Sequence, residues 1–258
     1  MYRKSQINKV DIIMPNFNKG QYLKEAIDSV INQSFKKWKL LIIDDNSSDN
    51  SKNILKKYIK RKNIKIFFLK KNKGPAYCRN LGLRLCKSKF IAFLDSDDLW
   101  MKNKLKQQLK FMEKNKYPFT FTDYLPVIQN KNKKIRLNKT KIDYYFNFKK
   151  FIKNSSINTS TIVLEKKYIK DIKFRNLKLM EDYIFKCDLM KKTSIPFQKL
   201  NSVSAIYRII SLSRSSKKFN NLIYLWKINK LINKLSIFDN LASIFFISIN
   251  SLKKYGFK

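Results

Sequence analysis

Histidine is absent from all 258 residues. Its absence removes Ser-His-Asp and Cys-His catalysis and every His-ligated metal site. Cysteine is scarce and odd in number: Cys78, Cys86 and Cys187 show no CxxC spacing. They read as small buried hydrophobes in a reducing compartment, not as a disulfide framework or a zinc site. With only 4 glycines and 5 prolines, no linker rich in either divides the chain, and no internal repeat is present. Met14–Gly20 lacks the glycine-rich phosphate loop that a nucleotidyltransferase wants early in its chain. Long apolar runs are missing too. MYRKSQINKVDIIMP has no apolar core fit for a signal peptide, and Ala242–Ile249 is far too short to span a bilayer. The expectation is a cytoplasmic protein, peripheral to the inner face of the membrane if it is recruited there.

Acids are the last scarcity: 18 against 57 basic residues, a net charge of +39. Such an excess attracts nucleotide phosphates, nucleic acid or an anionic membrane face. The lysines are spread along the whole chain, however, so a compositional bias of the source genome accounts for them equally well. An apolar fraction of 44% says globular, and the length suffices for one large domain or two joined halves.

Phe90–Trp100, FIAFLDSDDLW, organises the rest. Phe90–Leu94 is an unbroken apolar run, as in a strand buried on both faces of a parallel sheet. It stops at Asp95, Ser96, Asp97 and Asp98. Ligands of open α/β sheets bind beyond the carboxyl ends of the strands. Residues i and i+2 of an extended segment point the same way, so Asp95 and Asp97 can share a target, and a hard divalent ion such as Mg²⁺ or Mn²⁺ suits two converging carboxylates. The competing reading is an acidic N-cap for the helix carrying Leu105, Leu109 and Met112.

Around this stretch the chain alternates strand and helix. Val10–Met14, Leu40–Ile43 and Ile64–Leu69 are strand candidates. Helices are marked by Leu23, Ala26, Ile27, Val30 and Ile31, by Ile54, Leu55 and Tyr58, and by Ala76, Arg79, Asn80 and Leu83. The pattern predicts a parallel sheet with right-handed crossovers. Seven of the 18 acids fall in three tight groups, Asp44/Asp45, Asp95/Asp97/Asp98 and Glu181/Asp182. The first two end predicted neighbouring strands. Beyond residue 115 the reading is a strand at Pro118–Thr122, a basic loop at Lys131–Lys141, and a helix over Asp143–Ile152, whose interleaved aromatic and basic residues also suit nucleic acid. Then come a strand at Asn158–Leu164, a helix from Glu181 to Met190 and a strand beginning at Ser202. Two helices from Phe219 onward, with lysines between them, either lie on an anionic membrane surface or pack on the domain.

IIMPNFN, LLIIDDNSSDNS, NKGPAYCRNLG, FIAFLDSDDLW and MEDYIF together resemble, in order and spacing, the successive motifs of family 2 glycosyltransferases. NTSTIVL and YRIISLSRS resemble the acceptor half of bacterial members that build surface polysaccharides. The resemblance runs from about Val10 to about Ser215. It implies a GT-A fold: a mostly parallel sheet flanked by helices, with a nucleotide-sugar half (1–115), an acceptor half (116–215) and a C-terminal helical extension (216–258). It also implies inverting transfer of a hexosyl or N-acetylhexosaminyl group from a nucleotide-diphosphate sugar, UDP by default, to a hydroxyl of a lipid-linked or oligosaccharide acceptor. By this resemblance Pro15, Phe17 and Asn18 form the base-contacting loop, with Phe17 where many members carry Tyr. Asp45 or Asp44 accepts from the base, Arg79 faces the nucleotide, and Asp95 and Ser96 flank the ribose. Asp97 ligates the metal, aided by Asp95 and Asp98. Asp182 is the catalytic base, its pKa raised by burial beside the supporting Glu181. Arg208 and Arg214 are candidates to approach the phosphates. The QxxRW-type motif and membrane spans of processive synthases are missing, which implies addition of one or a few sugars. Two rivals predict otherwise: a basic nucleic-acid-binding protein, and an inactive family member serving as an adaptor.

Overall fold

The computed structural model describes residues 9–130, 133–136, 142–210 and 218–255. Its centre is a parallel sheet in which β1 (Val10–Asn16) lies between β2 (Trp38–Asp44) and β4 (Phe90–Phe93), with β3 (Ile64–Phe68) outside β2. These strands are apolar runs because both faces are covered: Val10, Ile12, Ile13 and Met14 of β1 are fully buried. The crossovers are α1 (Gly20–Ile31), α2 (Ser51–Lys56) and α3 (Gly74–Leu85). α3 sits so close to β1 that a Cβ on Gly82 would lie 2.5 Å from Ile13 Cγ2. In-register pairing sets Asn16 beside Asp44, and Ile13 beside Phe93. The loops after β1, β2 and β4 therefore open on one edge.

After β4 the chain makes a tight turn, with the Asp98 N–H donating to the Asp95 carbonyl at 2.9 Å. It then forms the short β5 (Leu99–Trp100) before α4 (Lys104–Asn115). The N-cap of α4 is Asn103, so the acidic cluster does not cap this helix. The turn also overturns the extended geometry expected of Asp95–Asp97. The second half extends the same sheet through β9 (Val163–Glu165), β6 (Phe119–Asn130) and β10 (Phe197–Ile209), with β9 antiparallel between β4 and β6.

Several boundaries differ from the pattern-based ones. The strand expected at Pro118–Thr122 is the twelve-residue β6, and Lys133–Arg136 of the expected basic loop pairs with it as β7. Tyr145–Phe146 is a strand, β8, on β10, and the helix α5 starts only at Phe148 and runs to Asn154. Asn158–Leu164 is a 3-10 turn (Thr159–Thr161) followed by β9, because the Asn158 side chain accepts from the Ser160 N–H and caps the turn. α6 spans Glu181–Thr193, and α8 (Ile237–Tyr255) packs on both α5 and α7 (Lys218–Leu231). Arg214 lies outside the described residues.

Candidate active site

The loops beyond β1, β2 and β4 and the start of α6 meet in a cleft of about 760 Å³. Pro15, Phe17 and Asn18 line one wall, with Phe17 45% exposed and free to offer a ring face. Asn18, at φ 50, stitches this loop to the next: its N–H donates to Ser47 Oγ and its Oδ1 accepts from the Ser48 N–H. Of the paired acids after β2, Asp44 is fully buried and accepts from Asn16 Nδ2 (2.8 Å) and Ser47 Oγ (2.6 Å). It frames the loop and does not line the cleft. Asp45 does, while accepting the Lys73 and Gly74 N–H groups at the start of α3. Gly74, at φ +83, is the residue that allows that approach.

The three acids of the β4–β5 turn face three different partners. Asp95 pairs with Arg79 at 2.7 Å, and the same guanidinium bonds Glu181 at 3.0 Å. Burial opposes the Arg79 charge, but Asp95 and Glu181 outweigh it and raise its pKa further. Arg79 thus ties the first half of the chain to the second. Asp97 pairs with Lys19 at 2.7 Å. Asp98 turns inward: Ser160 Oγ donates to it at 2.6 Å and the Arg208 N–H at 3.1 Å, and burial with the nearby Asp97 and Asp95 pushes its pKa well up. Ser160 Oγ also accepts the Asp95 N–H, so this one hydroxyl holds both ends of the turn. Ser96, although nearly buried, lines the cleft.

Among the described residues no group of three His, Cys, Asp or Glu side chains is arranged to hold a metal. Asp95 and Asp97 are the turn carboxylates that line the cleft. Two hard oxygen ligands on an open site suit a Mg²⁺- or Mn²⁺-sized ion that completes its shell with water and diphosphate oxygens. Asp98, faced away, does not join them.

At the head of α6, Met180 adopts φ 61 and Glu181 and Asp182 open the first turn. Asp182 Oδ2 accepts from Lys186 Nζ at 2.9 Å and from Thr159 Oγ1 at 3.1 Å. Burial alone would raise this carboxyl, but the Lys186 ammonium, Arg79 and the Thr159 hydroxyl hold it well below the usual carboxylate range. The raised pKa expected from a neighbouring acid is thereby corrected: the dominant neighbours are cations, and Glu181 is itself spoken for by Arg79.

Lys19, Thr159, Ser160 and Lys186 are absent from the sequence-based set. Lys186 was legible, standing at i+4 from Asp182 on one helix. The others come from loops or from the misread strand. Arg208 reaches the cleft from β10, pairing with Glu25, donating to the Asp97 carbonyl at 3.3 Å and lying 5.1 Å from the Tyr22 ring centre. Among the described residues the cleft carries five carboxylates (Asp45, Asp95, Asp97, Glu181, Asp182) against three cations (Lys19, Arg79, Arg208). In so basic a chain this is a local concentration of acids, not the continuous basic face that a nucleic-acid backbone needs.

A mixed, mostly parallel sheet whose carboxyl edge carries an acidic turn and a nucleotide-sized cleft defines a GT-A-like, nucleotide-sugar type of protein. The profile of "Glycosyl transferase family 2" matches residues 11–188, and the chain belongs to that family. The UDP-Glc:alpha-D-GlcNAc-diphosphoundecaprenol beta-1,3-glucosyltransferase WfgD of Escherichia coli is 33% identical over 219 residues, 85% of this chain and 84% of that one. The Staphylococcus aureus TarS 1–349 structure in complex with UDP shares the fold, with a TM-score of 0.69 at 21% identity over 96% of this chain and 72% of that one. A Pyrobaculum calidifontis mannosyltransferase in complex with GDP-Man and Mn²⁺ has a TM-score of 0.66 at 11% identity, over 94% of this chain and 73% of that one.

Proposed function

We propose that this glycosyltransferase is metal dependent, inverting and non-processive. In this reading it moves a hexosyl or N-acetylhexosaminyl group from a nucleotide-diphosphate sugar, UDP by default, to a hydroxyl of a lipid-linked or glycan acceptor of bacterial surface polysaccharide. The observation that carries it is the convergence of Asp45, Arg79, Asp95, Asp97, Glu181 and Asp182 on one cleft. The UDP default rests on the UDP-Glc of the E. coli relative, and the lipid-linked acceptor on its diphosphoundecaprenol. The reaction belongs at the cytoplasmic face of the membrane, where no helix among the described residues is long and apolar enough to cross.

Pro15, Phe17, Asn18 and Asp45 form the base end of the cleft, and Ser96 and Asp95 the ribose end. Asp97 and Asp95 would hold the divalent ion, which would supply positive charge to the diphosphate. Asp182 takes the proton of the acceptor hydroxyl as its oxygen attacks the anomeric carbon. The glycosyl C–O bond breaks on the opposite side, and its electron pair leaves on the diphosphate. A carboxylate held ionised by Lys186 is always ready to accept, but it is a weak base. Positioning by Thr159 and Lys186 must therefore supply part of its effect. Arg79 keeps Glu181 and Asp95 in place between the halves.

A thermal-shift panel of UDP, GDP, CDP, ADP and dTDP, each with Mn²⁺ or EDTA, tests the reading. UDP with Mn²⁺ is expected to raise the melting temperature, and the metal-dependent part should vanish in Asp97→Asn. Asp182→Asn should keep that shift and lose transfer. Absence of any nucleotide effect, or normal turnover by Asp182→Asn, sinks it.

A further inference from the structure

Helix α8 carries an exposed apolar face in addition to the one it packs on the core. Its polar side chains Asn240 and Ser243 are buried, with Asn240 Nδ2 donating to the Trp226 carbonyl at 3.0 Å and Ser243 Oγ accepting from Asn229 Nδ2 at 2.9 Å. Ile244 and Ile247 pack on the core beside them, but four large apolar residues face outward: Phe238 is 83% exposed, Leu241 53%, Phe245 60% and Leu252 38%. Spacings of three, four and seven place these four on one stripe. An exposed leucine or phenylalanine taken singly needs no explanation, but a continuous stripe opposite a hydrogen-bonded polar face does.

The helices packed beside the stripe carry positive charge. Lys230 and Lys234 are exposed on and after α7, and Lys149, Lys150 and Lys153 on α5, which packs against α8. Lys153 Nζ lies 5.9 Å from the Phe246 ring centre. Asp239 is the one acid of α7 and α8 together, and Ser236 Oγ donates to it at 2.9 Å.

We infer that α8 docks this chain on an anionic bilayer. It would lie in the plane of the interface, with Phe238, Leu241, Phe245 and Leu252 below the headgroups and the lysines among them. The occupant is a lipid surface because apolar burial and a cationic rim are both answered there, whereas a second copy of this face would bring lysines against lysines. The placement also serves the cleft. α5 runs directly into Ser155–Thr159, and α7 begins just before Asn221, and these residues line the cleft. The helices on which α8 packs are thus the ones that lead to the second-half wall of the cleft, which, on the proposed function, is where a lipid-linked acceptor arrives. Docking itself does not depend on that function, since vesicle binding is read without any sugar donor.

The test is co-sedimentation of the full chain with phosphatidylcholine vesicles, with and without about 30% phosphatidylglycerol. The chain is expected to bind the anionic vesicles, and Phe238→Ser/Phe245→Ser to lose about tenfold or more in partitioning at an unchanged melting temperature. Leu241→Trp gives a second readout: its added indole fluorescence should shift to the blue on mixing with the anionic vesicles. Failure of the wild type to bind, equal binding by the double variant, or an unmoved indole signal in Leu241→Trp overturns the inference. So does concentration-dependent dimerisation, abolished in the double variant, without vesicle binding.

Discussion

Lys186→Met tests the base most directly, because it removes the charge that holds Asp182 ionised. Lys186 Nζ stands 2.9 Å from Asp182 Oδ2. At that distance the attraction is about 1.4 kcal/mol if fully water-screened and about 5.7 kcal/mol at an effective dielectric of about 20. The Asp182 side chain is 38% exposed, so the screened end governs. Loss of the ammonium should then raise the Asp182 pKa by about one to two units. In the wild type the carboxylate is ionised across the working range, and activity should be flat on its account down to about pH 4. In Lys186→Met the Asp182 pKa should move back toward the ordinary carboxylate range, so the acid limb of activity should shift up by about one to two pH units. The linked stability must move in the same sense. A depressed folded pKa contributes stability that is present above the unfolded value and lost as pH falls, so the variant should lose less stability on acidification. The assay is kcat/KM against pH beside urea melts at matched pH. Superimposable profiles would refute the pairing as the control of the base. Gross unfolding is not expected, since a methionine fills the buried stem with little change in volume and the Asp182 side chain, 38% exposed, keeps water as a partner.

Other perturbations follow from packing and burial. Gly82→Ala sets a Cβ 2.5 Å from Ile13 Cγ2 in the fully buried β1, and should cost about 1–3 kcal/mol in chemical denaturation; an unchanged midpoint would contradict the helix–strand approach. Lys104 is 1% exposed, and burial lowers its pKa from 10.5 to about 7. Between those values the unfolded chain binds a proton that the folded one does not, so wild-type stability should climb from pH 7 to 9 and Lys104→Met should flatten the climb. Arg79→Met strands Glu181 and Asp95 without their shared cation and should destabilise by about 3 kcal/mol, measured by urea titration at pH 7; a neutral result would show the two halves held together by other means.

The first half of the fold was legible because its signals are local. Apolar runs of four or five residues, rich in Ile and bounded by turn residues, suit strands covered on both faces, and the 3.6 periodicity between them names the crossovers. The second half blurred for the opposite reason. β9 has three residues, β8 two, and their strand character exists only through pairing with β4, β6 and β10. No propensity announces a strand that short.

The sequence by itself determined which chemistry was available: no imidazole, few acids, and those acids grouped where parallel strands end. Tertiary structure decided what each acid does. Asp44 and Asp45 are adjacent letters, yet one is locked to Ser47 and the other lines the cleft. Asp95, Asp97 and Asp98 share one short turn, yet Arg79, Lys19 and Ser160 claim them separately. Asp182 has an acid beside it in the chain, yet its pKa is set by Lys186, one helical turn on. Charges answer to distance in space, and only the fold sets those distances.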